Sequence, residues 1–391
     1  MSHRQLKENI HSVGAVDWDR RLFDELIPLP GGTSYNSYFI SGSRANALID
    51  TVEEEFADDL LRNLNELEFE TLDYVISNHS EPDHSGALPE ILRAYPEAEL
   101  LTGAKGEEML EKLLHLDTDR ITTVEDGEEL SLGNRTLKFV ETPWVHWPET
   151  ISTYLKEDGI LFSCDFFGSH LADSNPYAED REEVYRAAKR YYAQIMMPFR
   201  HIITKNLDKV RELEPEIIAP SHGPIYKNPD FIFDAYDLWV NGGVKKEVVV
   251  PYISMHGSTE ELVDHFIDRL MQKEITVKPF NLREVELGRL AMSLVEAAVI
   301  VVGSPTVLGG PHPEVIYAVT LANALKPKTE FASVIGSCGW GGNLVDGIVD
   351  NLDRLDVEIF DPVLSMGKGR EEDFSEVERL VADIEDAFAS M

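Results

Sequence analysis

Short runs of β-branched and aromatic residues alternate with helix-period stretches from residue 1 to about 243. TSYNSYFISGSRANALIDT reads as two strands about a turn at Gly42 to Arg44, EEEFADDLLRNLNEL as a helix, TLDYVIS as a buried strand and SGALPEILRAYP as a helix. Further strands are expected at AELLTG, RTLKFVETP, STYLKEDGILFSCD and EIIAPSHG. The stretch NHSEPDHSG, residues 78–86, carries Pro82 and Gly86 and reads as a loop, not a helix. This half is a β-sheet system interleaved with helices.

The texture changes after VNGGVKKEVVV. From Lys246 onward a regular β-α-β-α pattern runs through EVVVPYIS, TEELVDHFIDRLMQK, TVKPFNL, a helix to about Glu296, AAVIVVGSP, a helix from Pro313, EFASVIGS, a further helix, DVEIFDPVLS and a terminal helix. Continuous apolar strands alternating with helices predict a parallel sheet covered on both faces. Five such strands fit a flavodoxin-like, doubly wound sheet, whose loops at the carboxyl ends of the strands bind the ligand. The expected domains are 1–243 and 244–391.

Composition narrows the class. A chain of 391 residues with 43% hydrophobic and 27% charged residues is long enough for two soluble domains. No window approaches the roughly 20 uninterrupted apolar residues of a membrane span. MSHRQLKENIHSVG lacks an apolar secretory core, so a cytoplasmic protein is expected. The formal charge of −36 argues against nucleic acid and anionic lipid as partners. The excess is distributed and not gathered in one tail; such a shell suits concentrated salt, ordinary surface acidity being the alternative. Cys164 and Cys338 are read as free thiols.

Chemistry gathers at strand ends. His79, Glu81, Asp83 and His84 follow one strand; His146 follows RTLKFVE, Asp165 ends GILFSCD, and His222 follows EIIAPS. Any one of these histidines alone is better read as structural, but seven metal-capable side chains at strand ends predict a metal site. Imidazoles with three hard carboxylates favour iron or manganese over zinc, and suffice for two ions with one carboxylate bridging.

In the second half, SMHGSTEEL places Ser254, Met255, His256, Gly257, Ser258 and Thr259 between a strand and a helix N-terminus, where hydroxyls and backbone N–H groups suit a phosphate. Two more loops follow strands: Ser304, Pro305, Thr306 and Val307, then Gly336, Ser337, Cys338, Gly339, Trp340 and Gly341.

The first half resembles the metallo-β-lactamase fold, whose usual hydrolases carry His-x-His-x-Asp-His; here Glu81 stands at the second histidine position. With His146, Asp165 and His222, and with HWPET and YYAQIMMPF, the whole chain resembles the flavodiiron proteins (A-type flavoproteins). The resemblance implies an α/β architecture, an N-terminal αββα sandwich followed by the flavodoxin-like sheet. It implies one iron on His79, Glu81 and His146, another on Asp83 and His222, and Asp165 bridging, with His84 either a ligand or a donor behind one. It implies FMN held by the three C-terminal loops, with Trp340 against the flavin; His256 and Cys338 stand where many relatives carry an aromatic residue. The expected activity is reduction of dioxygen to water, of nitric oxide to nitrous oxide, or both, dioxygen being favoured. Tyr191, Tyr192 and His170 are proton-donor candidates that also read as structural. Only two cysteines are present, so a separate donor is expected, rubredoxin or a reduced deazaflavin coenzyme. The family's head-to-tail homodimer, or a dimer of dimers, would bring one subunit's FMN to the partner's irons. The alternatives are a metal-dependent hydrolase with a flavodoxin passenger and a flavodoxin-type electron carrier.

Overall fold

The computed structural model describes residues 3–23, 25–284 and 286–391. The chain divides into two compact units, residues 1–192 with 199–240, and residues 193–198 with 241–391.

The first unit holds two sheets. One orders its strands Arg4–Lys7, Ile10–Ser12, Tyr38–Ser41, Asn46–Ile49, Tyr74–Ile76, Glu99–Gly103 and Ile121–Val124; the other orders Glu129–Ser131, Thr136–Glu141, Ile151–Leu155, Ile160–Cys164 and Ile217–Pro220. The period-two alternation sorts side chains between two cores. Phe39, Leu48, Val75 and Leu100 pack outward against Leu60, Leu64, Ile91 and Leu110 of the helices Ala57–Asn65, Leu88–Ala94 and Ala104–Leu114. Tyr38, Ile40, Ala47, Ile49, Ile76 and Leu101 pack inward against Leu137, Phe139, Ile151, Leu155 and Phe162 of the second sheet. Each fully buried Leu, Ile, Val or Phe among them contributes roughly 1.5–3 kcal/mol. Helices Arg181–Tyr191, Arg200–Arg211 and Asp230–Val240 cover the far side: Tyr236 meets Phe166 and Phe167 at 5.5 and 4.9 Å, and Asn206 Nδ2 donates to the Pro143 carbonyl. The result is a four-layer αββα sandwich.

The second unit orders its parallel strands Thr276–Asn281, Lys245–Tyr252, Ala297–Val307 and Phe331–Cys338, with Glu358–Ile359 and Val363–Met366 both pairing with the last. This is the flavodoxin-like order 2-1-3-4-5. One core lies under Leu290, Val319 and Ile348, the other under Phe266, Leu380 and Ile384, so both faces of the sheet are covered.

Three details depart from expectation. Residues 78–86 are not all loop, because Pro82–Ser85 forms one helical turn with Pro82 at its first positions, where a missing N–H costs nothing. STYLKEDGILFSCD is a hairpin of two strands. DVEIFDPVLS is interrupted by Pro362, which has no N–H for a sheet ladder, and leaves the two short strands at the edge.

Candidate metal centre and flavin cavity

The seven candidate ligands lie in segments that follow strands fixed by the sandwich core, His146 five residues beyond Thr136–Glu141. Strand Tyr74–Ile76 delivers His79 and, through the turn Pro82–Ser85, Asp83 and His84. That turn is strapped down: Thr51 N–H and Oγ1–H donate to the His84 carbonyl at 2.8 and 2.7 Å, and Ser85 Oγ donates to the Ser80 carbonyl at 2.8 Å. A Cβ on Gly86 would lie 2.5 Å from the Pro82 oxygen and 2.8 Å from the Glu54 nitrogen, so only glycine lets the turn pack there. Strand Ile160–Cys164 delivers Asp165, and Ile217–Pro220 delivers His222, whose flanks Asn36 Nδ2 holds by donating to the Pro220 and Gly223 carbonyls, each at 2.8 Å.

The seven side chains converge as two groups about one carboxylate. His79, Glu81, His146 and Asp165 form the first: Glu81 Oε2 lies 3.1 Å from His79 Nε2 and 3.0 Å from His146 Nε2, and Asp165 Oδ2 lies 3.3 Å from each. Asp83, His84 and His222 form the second: Asp83 Oδ2 lies 3.3 Å from His84 Nε2 and 3.0 Å from His222 Nε2. Asp165 Oδ1 faces this group, 3.0 Å from His84 Nε2 and 3.4 Å from His222 Nε2. The two oxygens of Asp165 thus face different groups.

These contacts have ion-pair distances, yet among the described residues both oxygens of Asp83 and Asp165 and both nitrogens of His84 are buried without a hydrogen-bond partner. One ligand atom from each member of a group lies within 4.8 Å of the others. Buried carboxylates without a hydrogen-bond partner are costly unless a cation completes them. The donor set therefore fits a pair of hard metal ions.

Protonation answers the same crowding in the metal-free protein. Burial opposes charge on His79, but its hydrogen bonds to Glu149 and Glu81 prevail and hold its pKa well above the ordinary value. Burial likewise opposes charge on His84 and His146; Asp83 and Asp165 for the first, and Asp165 and Glu81 for the second, raise each to about 9. Burial would raise Glu81 and Asp165, but the surrounding imidazoles hold both carboxyls below the usual range. His170 differs: burial and the neighbouring His222 keep its pKa well below the ordinary value.

Two residues matter that the sequence pattern did not single out. Glu149 Oε1 accepts from His79 Nδ1–H at 2.6 Å and from Ser80 N–H at 3.0 Å. Its signal was a carboxylate three positions after His146 in HWPET. The Ser34 carbonyl accepts from His222 Nδ1–H at 2.7 Å; a backbone acceptor leaves no mark in sequence. Around the centre lie Trp147, 5.0 Å from His79, and Tyr35, Phe23, His170 and Tyr191, all within 4.7–6.1 Å of His222 by ring centroid. Tyr192 is not in this ring; it packs edge-on against Tyr236 and tilted against Trp239, and donates to the Trp239 carbonyl, a structural role.

In the second unit the three C-terminal loops meet. A cavity of about 260 Å³ is lined by Ser254, Met255, His256, Ser258, Thr259, Pro305, Thr306, Ser337, Cys338, Gly339 and Trp340, and by Gly367. Gly341 lines a second of about 270 Å³, shared with Thr306 and Cys338. Ser304 and Val307, expected in a loop, belong to strand Ala297–Val307, and Gly336 belongs to strand Phe331–Cys338; with Gly257 they line neither cavity. Gly257, at φ +86°, precedes helix Ser258–Gln272; Ser254 Oγ accepts from the N–H groups of Gly257 and Glu260 at 3.1 and 3.3 Å. Thr306 Oγ1 is buried without a partner, and Trp340 is 86% exposed. Among the described residues neither cavity is lined by lysine or arginine. The lining fits a flat aromatic ring with a phosphate on hydroxyl and N–H donors.

Residues 33–223 match the family described as ODP family beta lactamase. A type A flavoprotein of Rhodobacter capsulatus is 33% identical over 366 residues, covering 91% of this chain and 84% of that protein. The flavodiiron protein from Giardia intestinalis superposes with a TM-score of 0.90 at 27% identity, covering 98% of this chain and 96% of that one. The chain belongs to the flavodiiron protein family. Other relatives are a nitric oxide reductase of Moorella thermoacetica, 35% identical over 90% of both chains, and a coenzyme F420H(2) oxidase of Methanothermobacter marburgensis, 35% identical over 87% of both. The rubredoxin oxygen:oxidoreductase of Desulfovibrio gigas has a TM-score of 0.96 at 27% identity, covering 100% of this chain and 99% of that one. As a flavodiiron protein this chain is an oxidoreductase whose cofactors are FMN and a non-haem diiron centre. Among the described residues no helix is long and apolar enough to cross a membrane.

Proposed function

We propose that this flavodiiron protein reduces dioxygen to water, with nitric oxide as a slower second substrate and a reduced deazaflavin coenzyme as electron donor. The observation that carries the reading is Asp165, whose two oxygens face two separate groups of ligand atoms. His79, Glu81 and His146 would hold one iron, and Asp83, His84 and His222 the other, with Asp165 between them. FMN would occupy the cavity between the Ser254, Pro305 and Ser337 loops. When bound, FMN and the two irons together store four electrons, the number that takes dioxygen to two waters without free peroxide.

The chain's own residues supply the rest. Trp147 packs its ring 5.0 Å from His79, and Phe23 and Tyr35 pack theirs 6.1 and 6.0 Å from His222. Burial and the adjacent Asp165 raise the Tyr191 pKa well above the usual value, so the phenol keeps its proton until one is demanded. His170, hydrogen-bonded through Nδ1 to Thr33 Oγ1 at 2.9 Å and with no hydrogen-bond partner for its buried Nε2 among the described residues, stays neutral, which leaves Tyr191 as the proton source there.

The exposed Met255, Leu308, Trp340 and Met366 suit cover by a second copy of the chain, as in a head-to-tail dimer. The donor assignment is supported by the acidity of the chain: a small acidic donor protein would be repelled at low salt, whereas a coenzyme needs only the flavin face. A cytoplasmic setting, where such a donor is found, belongs to the same reading. The test is turnover under dioxygen with each reduced donor in turn. Faster oxidation of the deazaflavin than of rubredoxin is expected; rubredoxin oxidised faster, or nitric oxide consumed faster than dioxygen, would overturn the assignment.

A further inference from the structure

The two halves of the metal centre have the same inner composition. Each brings two imidazoles, one carboxylate of its own and one oxygen of Asp165. Among the described residues Cys164, whose Sγ lies within 4.8 Å of ligand atoms of His84 and Asp165, is the one added metal-capable group, and it adjoins the second position.

Behind the imidazoles the symmetry ends. His79 Nδ1–H donates to Glu149 at 2.6 Å, and both side chains are fully buried. The equivalent bond on the other side, from His222 Nδ1–H, ends on the neutral Ser34 carbonyl at 2.7 Å. His84 Nδ1 is buried with no hydrogen-bond partner. Among the described residues His79 is the only one of the four rings with its Nδ1 bonded to a carboxylate. Asp50, a further buried carboxylate nearby, directs its oxygens to Asn78 and Ser221.

We propose that Glu149 makes the two metal positions unequal, so that the position built by His79, Glu81 and His146 binds its ion more tightly and fills first. This rests on the two-ion reading of the site. A carboxylate behind an imidazole fixes which nitrogen faces the metal and makes that nitrogen a stronger donor, and losing such a partner typically costs about 10- to 100-fold in metal affinity. Glu149 also brings a whole negative charge to the dry surroundings of one position only. It is a positioning residue, since it reaches the ion only through His79.

The test is titration of metal-free, full-length protein with cobalt(II) alone at one fixed pH, read by visible absorption and calorimetry. Two resolved steps are expected. His146→Ala should abolish the tight step and His222→Ala the weak one. Glu149→Gln keeps the shape and an acceptor oxygen; it should weaken the tight step at least roughly 10-fold and bring the two steps together. Glu149→Asp, which keeps the charge, should retain two steps and reports the charge effect if the glutamine variant folds poorly. A tight step unchanged in Glu149→Gln, a tight step abolished by His222→Ala, merged steps in Glu149→Asp, or two equal sites in the unaltered protein would each overturn the inference and leave the two-ion reading standing. Fewer than two cobalt ions per unaltered chain would overturn both.

Discussion

Gly223, directly after His222, is the position where one methyl group should do most damage to the metal centre. Its φ is +74°, and a Cβ built there would lie 2.1 Å from Ser169 Oγ and 2.4 Å from the Ser169 carbonyl oxygen. The hydroxyl can rotate away. The carbonyl cannot, because the Ser169 N–H donates to the His222 carbonyl at 3.1 Å and ties the two backbones together. Gly223→Ala therefore combines three effects. Left-handed backbone costs a non-glycine residue about 1–2 kcal/mol. Reduced freedom of the unfolded chain returns about 0.4–1 kcal/mol. Overpacking against fixed backbone costs about 1–3 kcal/mol. Gly127, at φ +82° with nothing within 4 Å of its built Cβ, isolates the first two. Urea unfolding of the metal-free protein should thus show Gly223→Ala less stable than Gly127→Ala by about 1–3 kcal/mol, the overpacking alone. Because the strain falls beside His222, cobalt binding should weaken at the second position in Gly223→Ala and be unaltered in Gly127→Ala. Equal stability of the two variants would refute the packing argument at this site.

Other outcomes follow from the same geometry. His84 and His146 have folded pKa values of about 9, above the ordinary 6.5, so their contribution is fully present below pH 6.5 and is lost as pH rises toward 9. Metal-free protein should lose on the order of 3 kcal/mol across that window, their shared partners preventing full additivity, while metal-loaded protein stays flat; urea midpoints against pH check this. Ser254→Ala removes the acceptor for the Gly257 and Glu260 N–H groups, so the C-terminal unit should lose about 1 kcal/mol and FMN should bind more weakly by fluorescence titration. Trp340→Ala removes an exposed ring; the flavin-free protein should change by less than about 0.5 kcal/mol, with FMN affinity alone reduced.

Most of the layer structure was legible because core packing enforces period-two alternation. Phe39 and Leu48 face one layer while Ile40 and Ile49 face another, and a one-residue slip would expose them all. The turn at Pro82–Ser85 was misread because proline, which breaks a helix interior, is well placed at its first position. In the second unit, which of the expected residues line a cavity depends on how three distant segments meet. Gly257 and Gly336 shape the backbone there, while Gly367, from a fourth segment, lines the cavity. Glu149 could not be tied to His79 from sequence, since the bond joins residues 70 positions apart through the pairing of two sheets. Candidate ligands are visible as residue types at strand ends; the groups that orient those ligands are visible only in three dimensions.

The central claim, a four-electron reduction of dioxygen at the centre built around Asp165, is tested most directly by anaerobic stopped-flow. Protein carrying two irons and one FMN per chain would be fully reduced, then mixed separately with dioxygen and with nitric oxide, and the products assayed. The account predicts rapid reoxidation by dioxygen, one molecule consumed per fully reduced chain without hydrogen peroxide, and a slower reaction with nitric oxide. Stoichiometric peroxide, or no reaction with either gas at full cofactor loading, would contradict it.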